Sequence, residues 1–190
     1  MSEIIFAYNR PATKTRAVVT DTSPLPISGG SFESVVAFAR TADTNIYGAG
    51  DVIGINAAGS PGSAIHTFTN AGIAGQGVLV TGADLRIDLA AVPSGMTSFR
   101  LYLYNASPTA ILDNAAWDFV AGDRSVLIGY IDFSAIYDLG ATLFCQAEVV
   151  NKQVQLAAGS SSIYGELVTN GAYTPASGTT FEIRLRAIGC

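Results

Sequence analysis

The chain has 190 residues, 49% of them hydrophobic and only 13% charged, with a formal net charge of −5. That length suits a single domain with a sizeable core. The acidic balance, with Lys14 and Lys152 as the only lysines, excludes the basic face that nucleic acid requires, and no run of about 18 apolar residues marks a membrane span.

The first 30 residues differ in character from the rest of the chain. Arg10, Lys14 and Arg16 fall within seven positions, and Pro11, Pro24 and Pro26 break regular structure around them before Ser28-Gly29-Gly30. This pattern fits an extended N-terminal arm, residues 1–30, ahead of a folded body, residues 31–190. The other reading is a frayed terminus or an edge strand wrapped on its own domain, since residues 4–8 are too apolar to leave in water. Glu3 and the lack of an apolar core segment behind it argue against a secretory signal.

From Ser31 onward, short strand-like runs succeed one another. Glu33 to Arg40 is rich in Val and Phe, Thr44 to Ile55 is split by Gly48-Ala49-Gly50-Asp51, and Ile65 to Thr69 is brief. Gly77 to Ala90 begins apolar and then alternates, with Leu85, Ile87 and Leu89 inward and Asp84, Arg86 and Asp88 outward. Ser98 to Asn105 sets Phe99, Leu101 and Leu103 against Arg100, Tyr102 and Tyr104. Pro93, Ser94 and Gly95 between these two runs predict a hairpin or a neighbouring pair.

Ala106 to Asp123 reads as a helical turn or a loop. Ser125 to Phe133 returns to strand, Asp138 to Asn151 is apolar enough for a central strand, and Lys152 to Ala157 and Ile163 to Thr169 add two more. A turn at Pro175 and Gly178 precedes the clearest strand, where Phe181, Ile183, Leu185 and Ala187 interleave with Glu182, Arg184 and Arg186. Eight to ten strands without an amphipathic helix predict an all-β, two-sheet antiparallel sandwich, with a jelly roll the best-fitting arrangement. The immunoglobulin type fits less well, because no Cys…Trp…Cys spacing occurs.

Few residues carry chemistry. His66 is the one histidine and reads as a surface or satisfied strand residue rather than a general base. One His and two Cys 45 positions apart make no zinc set. Asp84 and Asp88 lie about 13 Å apart along a strand, too far for one small cation, and a charge ladder with Arg100 or Arg184 accounts for them better. Asp113, Asp118 and Asp123 lack the spacing of a calcium loop, and the Gly48 and Gly72–Gly77 segments read as turns. No cofactor or metal is expected. Cys145 and Cys190 are expected to be free thiols of a protein made in a reducing cytoplasm. Tyr102 and Tyr104, on the polar side of their strand, are the candidate exposed aromatic interface, with Tyr47, Tyr164 and Tyr173 near turns. Such tyrosines stack sugars or meet proteins, and the low charge favours a protein surface. Few charges among abundant small residues also suit a subunit of a larger assembly.

Tyr47-x-x-x-Asp51-Val52-Ile53-Gly54, Pro108-Thr109 followed by Asp113-Asn114, Gly129-Tyr130-Ile131-Asp132-Phe133, Tyr173-Thr174-Pro175 and Thr180-Phe181-Glu182-Ile183-Arg184-Leu185 together resemble the head decoration, or cement, proteins of tailed bacteriophages. The resemblance covers roughly Ser31 to the C-terminus. It implies a jelly-roll sandwich without enzymatic activity that binds the capsid exterior and bridges neighbouring major capsid subunits. The family offers no residues to carry over; from the chain's own charges, the arm of Arg10, Lys14 and Arg16 is the candidate contact with an acidic capsid surface. A homo-oligomer on the virion is expected, a trimer first and a dimer second. The rival expectation is a carbohydrate-binding or adhesive module on a phage head, tail or fibre.

Overall fold

Among the described residues, eleven strands build two antiparallel sheets. In chain order they are β1 (Ser31–Ala39), β2 (Val52–Ile53), β3 (Ile65–Phe68), β4 (Gly77–Ile87), β5 (Phe99–Tyr104), β6 (Leu127–Phe133), β7 (Tyr137–Asp138), β8 (Leu143–Ala147), β9 (Lys152–Gln155), β10 (Ile163–Thr169) and β11 (Thr180–Gly189). The computed structural model describes residues 30–57, 60–61, 64–148 and 150–190, and two short ladders, 5–6 with 17–18 and 56–57 with 60–61. Arg10, Lys14 and Arg16 lie outside the described residues.

The first sheet runs β6-β5-β10-β2, with β3 also on β10, and the second runs β7-β8-β4-β11-β1, with β9 also on β4. Alternation explains the layering. The odd residues of β5 and β11 (Phe99, Leu101, Leu103; Phe181, Ile183, Leu185, Ala187) are buried, and with Phe38, Phe68, Leu85, Ile87, Phe133 and Leu143 they form one core between the sheets. The phase of β4 changes part-way: Val78 and Val80 face inward, then Ala83, Leu85 and Ile87. An extra residue opposite the Arg186/Ala187 step makes the change, so both halves of a long strand reach the same core.

Two expectations are corrected. The 77–90 and 98–105 runs are not a hairpin, because β4 and β5 belong to opposite sheets. Each has its own apolar row, and crossing the sandwich sets Leu85 and Ile87 across the core from the β5 leucines. The crossing turns at Gly95 (φ +88), where a Cβ would collide with the Ala172 carbonyl, so glycine is required twice over. Nor is 138–151 a central strand. It divides into β7, a two-residue edge, and β8; β8 and then β9 pair with successive parts of β4. The break between them falls at Val150, whose N–H donates to the Thr81 carbonyl at the β4 bulge.

Candidate functional site

The outer face of the first sheet brings aromatic, basic and acidic side chains together. Even residues of β5 point outward, and register gives each a neighbour on both sides: Arg100 lies between Asp132 and Val168, Tyr102 between Tyr130 and Glu166. Residues 105–126 then fold back over this face. Trp117 N–H donates to the Gly50 carbonyl (2.9 Å) and Val52 N–H to the Ala115 carbonyl (2.9 Å), anchoring the segment beside β2. Trp117 is thereby laid flat on Tyr102, with ring centroids 3.8 Å apart and planes at 7°. A second small cluster, Val52, Ala64 and Val168, is closed by Tyr102, Ile111 and Trp117.

Beneath this cover lies Glu166, 1% exposed. Its Oε2 accepts from the Tyr104 hydroxyl (2.8 Å) and from the Trp117 indole N–H (3.1 Å). Burial pushes the Glu166 carboxyl up, against the pull of those two donors, and the Tyr104 hydroxyl is raised by burial and by the carboxylate.

Of the expected exposed aromatics, Tyr102 is half-buried and Tyr104 is not exposed at all (1%). Alternation sets which way a strand side chain faces and is silent about what covers it. Here a segment with no regular element supplies the cover, and the buried acid draws the Tyr104 hydroxyl inward. What remains open is a ledge along the edge strand. Tyr130 is 44% exposed, the Arg100 guanidinium sits 4.1 Å over its ring, and Arg100 holds Asp132 through two bonds (2.7 and 3.3 Å). Trp117 continues the ledge to Phe119, centroids 5.9 Å apart.

The other residues singled out from the sequence are dispersed. His66 is fully buried, stacked on Phe38 at 4.3 Å, with Nε2 3.2 Å from the Ile53 carbonyl; burial lowers its pKa to about 4. Tyr47 and Tyr173 are buried too, and Asp113 is enclosed with Tyr47 and Arg40, whereas Asp118 is exposed and Asp123 accepts from Thr109 N–H. Among the described residues no three His, Cys, Asp or Glu side chains converge as a metal site, and no helix is long and apolar enough to cross a membrane.

Asp84 faces outward on the second sheet yet is 1% exposed, roofed by Arg186, which bonds it directly, with Arg86 at 3.7 Å and Arg184 at 4.0 Å. The expected partner Arg184 is there; Arg100 lies on the opposite sheet with Asp132. Glu33 and Glu182 extend the lattice, at 3.1 Å from Arg184 and 3.0 Å from Arg86. Beside it, Arg86, Leu139 (66% exposed), Ala141, Thr142 and Phe144 line an open hollow of about 460 Å³, and Tyr137 (58% exposed) is the strand partner of Phe144.

Sequence reasoning missed Glu166 and Arg40. A single acid inside the apolar run Ile163–Thr169 was the available signal for the first. The chain matches no protein-family model and no curated protein.

Proposed function

We propose that this chain is a non-enzymatic structural protein of a virion, binding the outer surface of a tailed-phage capsid and cementing neighbouring major capsid subunits. The observation that carries the reading is the division between paired and unpaired groups. The histidine and the buried acids are spent on internal contacts, while Leu139 and Tyr137 are left to solvent around the Phe144 hollow of the second sheet, and Tyr130 on the ledge of the first. Apolar and aromatic side chains at an open rim suit a protein partner. Strand order supports the jelly-roll form of the sandwich: the first strand β1 lies beside the last, β11, and the chain crosses between sheets from β1 to β2, β3 to β4, β4 to β5, β6 to β7, β9 to β10 and β10 to β11.

A sugar platform fits less well. Stacking on a sugar needs a free ring face, yet one face of Tyr102 is taken by Trp117 and one of Tyr130 by Arg100.

Co-sedimentation with undecorated phage heads tests the proposal. Saturable binding at a fixed ratio to the major capsid protein, weakened by Leu139→Asp, is expected; retention on a glycan column without head binding would replace this reading with the adhesive one.

A further inference from the structure

We infer that the β1 edge of the second sheet pairs with the same edge of a second copy, joining two sandwiches about a two-fold axis through Val35. This inference concerns the free protein and does not rest on capsid binding.

Sheet edges are normally blunted by shortness, bulges, Lys or Pro. Among the described residues the other edges follow that rule. β2 and β7 have two residues each, β3 and β9 four, β9 begins with Lys152, and β6 carries an irregularity between Leu127 and Gly129. β1 does not. It runs nine residues, pairs with β11 without a register shift, and contains neither Lys nor Pro.

The phase of its ladder identifies the free groups. Gly189 N–H donates to the Gly30 carbonyl and Arg40 N–H to the Thr179 carbonyl, so even-numbered residues exchange bonds with β11. Ser31, Glu33, Val35, Ala37 and Ala39 therefore direct their N–H and C=O groups away from the sheet, and all five are exposed. The core also ends unfinished there, because Phe32 and Val36 face it but are only partly buried.

A second β1 fits this edge by its own sequence. Antiparallel pairing centred on Val35 sets 35 against 35, 33 against 37 and 31 against 39 of the other copy, satisfying all five residues. Glu33 then faces Ala37 instead of another acid, and its charge is already met by Arg184 (3.1 Å) and Arg186 (3.8 Å). Val35, 43% exposed, gains an apolar partner in its own counterpart. On the inner face, Phe32 meets Phe38 and Ser34 meets Val36, extending the core. The occupant the edge fits is thus a copy of itself, and the interface closes at two.

Light scattering and sedimentation equilibrium of the full chain over a range of concentrations provide the test. A monomer–dimer equilibrium is expected. Val35→Lys, which sets two cations face to face, and Val35→Pro, which removes the central outward N–H without touching the β11 ladder, are each expected to weaken it at least tenfold. Leu139→Lys, beyond the opposite edge, should leave it unchanged, and circular dichroism checks that each variant folds. In a Cys190→Ser background, Val35→Cys should crosslink two chains on oxidation, since paired Cα atoms at about 5.5 Å suit a disulfide. A monomer at every concentration, a trimeric mass, or a dimer indifferent to Val35→Lys would overturn the inference.

Discussion

The Tyr47 hydroxyl donates to Asp113 Oδ1 at 2.6 Å, joining parts of the chain 66 positions apart. The same oxygen accepts Gly54 N–H at 2.7 Å, and Arg40, 0% exposed, lies 3.7 Å from Oδ2 while donating to Tyr47 through Nε at 3.1 Å. Arg40 also reaches the carbonyls of Asp43 and Ala176, so one buried cation ties the end of β1 to three loops. Removing one partner of a buried ion pair strands the other. Asp113→Ala is expected to cost about 3 kcal/mol, which lowers the melting temperature by roughly 6–12 °C for a chain of this size. Tyr47→Phe should cost about 2 kcal/mol. Urea unfolding measures both; a loss under 1 kcal/mol for Asp113→Ala would mean that Asp43 alone satisfies Arg40.

The Trp117 cover yields a second expectation. Trp117 is the only tryptophan, so its fluorescence reports the 105–126 segment without interference. Trp117→Ala removes the stack on Tyr102 and one of the two side-chain donors to Glu166, and is expected to cost about 2 kcal/mol, less than a fully buried aromatic. A double-mutant cycle with Tyr102→Ala should show coupling of about 1 kcal/mol. Additive losses would show that the two rings touch without stabilising each other.

Much of the sandwich was legible in period-two alternation. The inward rows of β5 and β11, and the inward pairs Leu85/Ile87 and Phe181/Ile183, follow from spacing alone, because one face of each strand must be dry. Which strands neighbour each other did not follow. The Pro93–Gly95 turn looks the same whether the chain doubles back within a sheet or crosses to the other, and only the fit of two apolar rows across one core decides. Tyr104 failed for a related reason: its outward direction was legible, but its burial depends on Trp117 and Glu166, far away in sequence. Arg40 and Asp113 were opaque as a pair, since 73 residues separate two groups whose roles exist only once the loops meet.

The two cysteines should differ sharply toward a thiol reagent. Cys190 is exposed and Cys145 is fully buried, its thiol pushed up to about 12 by that burial. Thiolate is the reactive form. One equivalent should therefore react promptly in the native protein at pH 8, and the second only on the timescale of unfolding. Rapid reaction of both would show that β8 opens locally from the sheet, a motion its pairing with β4 from Ala83 to Ile87 opposes.

His66 makes a pH dependence with a definite sign. Burial takes it from 6.5 down to about 4, with the Ile53 carbonyl pulling weakly the other way. Between those values the unfolded chain binds a proton that the folded chain refuses. Stability therefore rises with pH across that window and is lost as pH falls through it, by an amount on the order of 3 kcal/mol. Glu166 works in the opposite sense, because a carboxyl raised in the folded state takes up its proton there first and gains stability as pH drops. The wild-type curve alone mixes the two, so His66 must be isolated by difference. His66→Phe keeps a ring against Phe38 and has nothing to titrate; its stability, measured by urea unfolding from pH 7 to pH 4, should fall less steeply than that of the wild type. Parallel curves would mean that His66 accepts its proton in place, and that the stack on Phe38 does not exclude water from the imidazole.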